Sequence, residues 1–293
     1  MQYGFSIKRK CYLLSVLLMT VWLTGCVQEE FESTPSPAGN GIRFTLTVPD
    51  VNLPSVSSRT MTGTGTAKKE DEIETVDILV FDMSKTPAVF LEWASATEVT
   101  QDLADNSTVS FSAVLSPTTA STCIVVVANK ELDGIVSGFT KGVTTKVRAM
   151  EEMLHTQTGK WLADGSTTGG YTRIPMYGEK VISKITPSMN PITDINMKRM
   201  LARIDIRNNS VTSNFTVEEV YLANYNTTGY IAPAWNTNGQ VTEPAPDTPV
   251  LPTGSGKMTE EGNAILYSVN GNTPYDGEIY TFESLAAGDA GGA

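Results

Sequence analysis

Histidine is almost missing from this 293-residue chain, in which His155 stands alone. That excludes a multi-histidine metal centre within one chain, and any Ser/His/Asp triad would have to use that one residue. Cysteine is nearly as scarce. Cys11, Cys26 and Cys123 lie far apart, which excludes a paired CxxC zinc site and a disulfide scaffold. Positive charge is short as well, with 21 Lys+Arg against 32 Asp+Glu and a formal net charge of −11. A surplus of carboxylates disfavours nucleic-acid backbones and anionic lipid surfaces as main partners. No metal or cofactor is expected. What is plentiful is apolar side chain, 40 % of residues against 18 % charged, so the chain has the means to bury a core. Its length suggests about two domains, at roughly 150 residues each.

The N-terminus reads as a leader. Lys8-Arg9-Lys10 precedes an apolar stretch from Cys11 to Leu23, too short for the ~20 residues of a stable membrane-spanning helix. It closes in Leu23-Thr24-Gly25-Cys26, which resembles the lipobox of bacterial lipoproteins. The resemblance implies a signal peptide over 1–25, a mature chain starting at an acylated (palmitate-bearing) Cys26, and anchoring in the outer membrane. Two or more acyl chains hold a protein on a bilayer where one holds it only marginally, at ~0.8 kcal/mol per buried methylene. Residues 26–40 carry Pro, Ser and Gly without apolar period and read as a flexible tether. Glu29, Glu30 and Glu32 look like the surface-export signals of Bacteroides-type lipoproteins. Cys123 sits in the apolar run Cys123-Ile124-Val125-Val126-Val127 and reads as a buried, inert thiol.

Downstream the pattern is that of strands. Ile42, Phe44, Leu46 and Val48 alternate with polar residues, which predicts one buried and one exposed face. Residues 50–72, with Pro54, Gly63, Gly65 and the charged run Lys68-Lys69-Glu70-Asp71-Glu72, predict a long exposed loop. Further strands are predicted over 73–81, 88–93, 108–114, 123–128, 174–177, 179–185, 193–198 and 202–207. Val143, Val147, Met150 and Leu154 share one helical face, which predicts a short helix over 141–154. After Asn208-Asn209-Ser210, strands are predicted over 215–223, 264–269 and 278–282. Pro233, Pro244, Pro246, Pro249 and Pro252 make the stretch between a loop. Few strands remain there for a sandwich of ~7. The chain therefore divides into 41–207, an N-terminal β-sandwich, and 208–293, a second and incomplete one.

Isolated features suggest little chemistry. His155 reads as a cation capping the C-terminal end of the helix. Asn270–Glu278 has a faint calcium-loop character without regular oxygen spacing, and a turn explains it better. Gly63-Thr64-Gly65-Thr66-Ala67-Lys68 lacks the ending of a phosphate loop. Asn106-Ser107-Thr108 and Asn226-Thr227-Thr228 match glycosylation sequons and read as chance. Arg59, in Ser57-Ser58-Arg59-Thr60-Met61, is the lone arginine of the loop predicted after the first strand, and reads either as an ordinary loop residue or as a cleavage site for an arginine-selective protease. No enzymatic activity is expected.

Taken together, the lipobox at Cys26, Ile73–Asp82, Val125–Asn129, Ile174-Pro175-Met176-Tyr177-Gly178-Glu179 and Arg199-Met200-Leu201-Ala202-Arg203-Ile204-Asp205-Ile206 resemble the fimbrillins. These FimA-like and Mfa-like proteins are the subunits of type V pili of Bacteroides-type bacteria. The last two stretches are the specific ones. The resemblance implies an all-β fold of two tandem transthyretin-like sandwiches, the second here incomplete, with one short helix in the first. It implies a precursor of a cell-surface fimbrium that supports adhesion. An arginine-specific protease cuts between Arg59 and Thr60, the first strand leaves, and a strand of another fimbrial subunit fills the groove. Arg43 is a poorer cleavage candidate, since it lies inside the strand.

Physical chemistry agrees with that route. Four inward side chains, Ile42, Phe44, Leu46 and Val48, are worth ~1.5–3 kcal/mol each, an upper bound of roughly 6–12 kcal/mol. A replacement strand of matching alternation regains that burial and the ladder bonds, by β-augmentation. The tail after Leu285 is rich in Gly and Ala and shows no donor strand, which suggests a tip or terminating subunit, a truncated reading frame that assembles poorly, or an anchor subunit that keeps its first strand and its lipid. The other reading of the sequence is a surface lipoprotein that binds glycan or host protein through its loops, with Trp161, Trp235, Tyr225 and Tyr230 as an aromatic platform.

Overall fold

The described residues of the computed structural model are 42–48, 70–101, 108–162, 172–187, 189–206, 219–243, 249–253, 264–268 and 275–284. They form β1 (Ile42–Thr47), β2 (Val76–Asp82), β3 (Val89–Ser95), β4 (Thr97–Gln101), β5 (Thr108–Ala113) and β6 (Thr122–Ala128). Two short helices follow, α1 (Asp133–Val136) and α2 (Lys146–Glu152). Then come β7 (Leu154–Thr156), β8 (Met176–Ile182), β9 (Ile192–Asn196), β10 (Lys198–Arg199), β11 (Ala202–Ile206), β12 (Glu219–Leu222), β13 (Thr228–Tyr230), β14 (Ile265–Ser268) and β15 (Tyr275–Thr281). Among the described residues, the structure is all-β apart from these two helices. The described residues belong to one unit, Asn40–Ala293.

Two sheets carry the architecture. The first has the order β4-β5-β1-β9 and the second β10-β8-β6-β2-β3. Their facing sides enclose one core, in which β1 and β5 supply Ile42, Phe44, Leu46, Val109 and Phe111, and the second sheet supplies Ile78, Val80, Ile124, Val126 and Met176. The far side of the second sheet is covered too. Leu79, Phe81, Cys123, Val125, Val127 and Tyr177 pack with Leu132, Met150, Trp161, Ile231, Tyr280 and Phe282. This double cover explains why β2 and β6 read as continuous apolar runs, whereas β1, apolar on one side only, alternates.

Local chemistry sets the element ends. The side chain of Thr145 caps α2 by accepting from the Arg148 amide at 3.2 Å. The helix is shorter than its predicted 141–154. Val143 is 68 % exposed, and Leu154 already belongs to β7. The two strands predicted over 174–185 are one, β8. Gly178 lies within it because a Cβ there would sit 2.7 Å from Met197 Sδ and 2.8 Å from Ile195 Cγ2. Gly178→Ala is therefore expected to lower stability by about 1–3 kcal/mol, read from the shift of a urea melt.

Three two-stranded ladders, β11·β15, β12·β14 and β7·β13, complete the described structure. Tyr225, Ile265, Tyr267 and Ile279 form a small core of their own. The expected division at 207/208 falls in residues 207–218, outside those described, as do the expected leader and tether over 1–40.

Candidate functional site: the first strand and its groove

The sequence Ile-Arg-Phe-Thr-Leu-Thr makes β1 a strand with every second residue apolar, and the fold gives that strand an interior place. It pairs antiparallel with β5, from Ile42 opposite Ala113 to Thr47 opposite Thr108. On its other side it pairs parallel with β9, with Phe44 opposite Ile192, Leu46 opposite Ile195 and Thr47 opposite Asn196. Phe44 and Leu46 are 0 % exposed, and Ile42 and Val48 are buried with them. The Phe44 ring stacks on Phe111 with centroids 4.9 Å apart and planes 4° from parallel. Without β1, the sheet would divide into β4·β5 and a lone β9.

β9 is held to the second sheet as well as to β1. Its register against β1 shifts between Phe44 and Leu46, and Asp194 at that irregularity has φ 59. Lys180 on β8 reaches across and donates to the Thr193 carbonyl at 2.5 Å, while Thr193 Oγ1 donates to Asp194 Oδ2 at 2.9 Å. The hydrogen bond from Thr193, then that from Lys180, holds the Asp194 carboxyl below the usual range.

Residues 70–75 form a second anchor, where the described chain resumes after β1. Here the expectation of an exposed loop through Glu72 is corrected, because Glu70 is 4 % exposed. Its Oε1 accepts from Arg203 Nη1 at 2.8 Å and from the Tyr280 hydroxyl at 2.5 Å. Asp71 pairs with Arg199, and its carbonyl accepts from Gln101 Nε2 at 2.7 Å. Asn129 Nδ2 donates to the Glu72 carbonyl at 2.8 Å and to the Ile174 carbonyl at 3.0 Å. Buried ionic groups survive where partners neutralise them, which these side chains do. The stretch rich in charge was legible in the sequence. Its partners were not, since they lie far along the chain.

The two specific sequence stretches acquire physical roles. In Ile174–Glu179, Ile174, Met176 and Tyr177 are buried on the second sheet. Glu179 Oε2 receives Lys146 Nζ at 2.7 Å and the Tyr177 hydroxyl at 2.5 Å. Burial, then the Glu179 charge, pushes the Tyr177 hydroxyl well above its ordinary pKa. In Arg199–Ile206, Arg199 and Arg203 supply the anchor of residues 70–71.

Cys123 is fully buried, and burial pushes its thiol up to about 12. The native chain is expected to resist a maleimide at pH 8 and to react stoichiometrically at this position in denaturant, as read by mass spectrometry. His155 differs from expectation. It does not cap the helix but sits in β7 opposite Gly229, with its ring 5.0 Å from Trp161. Burial, then the nearby Lys130 charge, lowers its pKa from 6.5 to about 4. Protonation therefore favours the unfolded chain, and this residue's contribution to stability is lost as pH falls from about 6.5 to 4. His155→Leu is expected to flatten thermal melts over that window.

The aromatic platform is also corrected. Trp161 and Tyr225 are buried, Trp161 in the core beside Met150 and Phe282 and Tyr225 in the small core with Tyr267. Tyr230 and Trp235 pack edge to face, with centroids 4.9 Å apart. Cys26, Arg59 and Thr60 lie outside the described residues.

Comparison with protein families matches residues 42–245 to the major fimbrial subunit protein FimA. The chain belongs to the FimA major fimbrial subunit family. FimA-type chains are structural and not enzymatic. The family places this one at the cell surface, in a fimbrium, with other fimbrial subunits as partners. Among solved structures, a fimbrial assembly protein from Parabacteroides distasonis is 12 % identical, covering 85 % of this chain and 78 % of that one at a TM-score of 0.39. A candidate cell adhesion protein from the same organism is 18 % identical, covering 86 % and 73 % at a TM-score of 0.46. A search of curated proteins gave no match.

Proposed function

We propose that this fimbrial subunit is made as a lipoprotein anchored through Cys26 and assembles by exchange of its first strand. An arginine-specific protease cuts between Arg59 and Thr60, β1 leaves, and a strand of a neighbouring subunit takes its place. The division into two sandwiches near residue 208 belongs to the same proposal.

The observation that carries this reading is the place of β1. It is an interior strand with fully buried Phe44 and Leu46, and the chain between it and the next described residue, Glu70, contains Arg59. An edge strand could leave without consequence, whereas an interior strand leaves two unpaired rows of N–H and C=O groups and an apolar slot between them. The anchor at Glu70–Glu72 supports the reading further, because it ties down the remaining chain beyond the cut.

Incubation with an arginine-specific protease tests it. Thr60 is expected as the new N-terminus, followed by an oligomer ladder on size-exclusion chromatography. Monomer alone, with Thr60 never exposed, overturns the proposal.

A further inference from the structure

We infer that Phe111 makes the groove selective for a donor strand with an aromatic side chain at its second inward position, and that this one contact fixes the donor's register and direction. The inference rests on the proposed strand exchange and states what chemistry the incoming segment of another fimbrial subunit must carry.

The groove's demands are read from its present occupant. Four inward sites follow each other along β1. Ile42 lies opposite Ala113, Phe44 opposite Phe111 and Ile192, and Leu46 opposite Val109 and Ile195, with Val48 last. Three of these sites meet aliphatic surroundings that accept Val, Leu or Ile with small differences. The second does not, because the Phe44 and Phe111 rings lie parallel and in contact, both buried. An aliphatic residue there would leave one face of Phe111 poorly covered.

Alternation alone cannot set the register. A slip of one residue turns the apolar side chains outward, but a slip of two keeps every apolar side chain inward. Among the inward sites, the aromatic pair is what distinguishes the two registers. The outward Thr45 and Thr47 add little discrimination, since they lie opposite Ser110 and Thr108. Direction is set by the same contact. Run backwards, the sequence Ile-x-Phe-x-Leu-x-Val places its ring at the third site, opposite Val109 and Ile195. The donor is therefore a segment of the form aliphatic-x-aromatic-x-aliphatic-x-aliphatic, antiparallel to β5 and parallel to β9.

Synthetic peptides of residues 41–49 are offered to the protease-cut full chain, and capture is read by native mass spectrometry. The native peptide is expected to be captured at least tenfold more tightly than its Phe44→Leu form and than a form with Phe44 and Leu46 interchanged. In the Phe111→Leu protein that preference is expected to shrink to within about twofold. Equal capture of all three peptides by the native protein overturns the inference while leaving strand exchange standing. A second measurement does not depend on cleavage. In the uncut chain, a double-mutant cycle of Phe44→Leu and Phe111→Leu is expected to show coupling of about fivefold in the unfolding constant. Additive effects overturn the inference even where no peptide enters, and failure of every peptide to enter a cut chain that does show coupling counts against strand exchange instead.

Discussion

Leu46→Asp is expected to abolish the cooperative fold. Leu46 is fully buried between the two sheets, in the apolar core with Val109 and Ile195. The substitution forfeits ~1.5–3 kcal/mol of burial and adds a carboxylate whose desolvation costs several kcal/mol more. Against a typical total stability of about 5–15 kcal/mol, that removes most or all of the margin. One residue further on, Thr47 faces solvent, and Thr47→Asp is expected to change stability by no more than about 1 kcal/mol. Circular dichroism melts of the two variants compare them directly. Similar effects at 46 and 47 would contradict the alternation on which the groove depends.

The second large effect concerns Lys146 and Glu179. Lys146 is 1 % exposed, while the Glu179 side chain keeps 23 % of its surface and also accepts from Tyr177. Removal of one partner is therefore asymmetric. Glu179→Leu leaves an ammonium group buried without its counter-charge, an expected loss of about 3–5 kcal/mol. Lys146→Met fills similar volume and leaves a carboxylate with both water and a hydroxyl, an expected loss of about 1–2 kcal/mol. The double variant is expected to recover much of the Glu179→Leu loss. Urea denaturation of all three gives the coupling, and a double variant as unstable as the sum of the singles would contradict it.

What the sequence made readable follows from where each pattern is one-dimensional. β1 was plain because a strand buried on one face alternates, and β2 and β6 were plain because a strand buried on both does not. β4, Thr-Glu-Val-Thr-Gln, escaped notice because it is a polar edge strand, paired with β5 alone. β7 and β13 are three residues each, too short to show a period. The helix was overextended because Val143 falls on the right face by spacing while the chain there has not yet become helical. The anchor of Glu70 was illegible for another reason. Its partners Arg203 and Tyr280 stand 133 and 210 residues away, and a run of charges near a glycine-rich loop looks solvated until such partners are known. The groove itself was half legible. Its inward residues could be named, but Phe111 and Ile192, the walls on either side, could be assigned only once the register was known.

A reversible lock on the first strand tests the account at its centre. Thr45 and Ser110 are directly opposed on β1 and β5, so a Thr45→Cys, Ser110→Cys chain can be bridged by oxidation across the strand pair. The account predicts that the oxidised protein, once cut by an arginine-specific protease, keeps its N-terminal fragment and stays monomeric, and that a reductant releases the fragment and starts assembly. Assembly of the oxidised protein at the rate of the reduced one would contradict it.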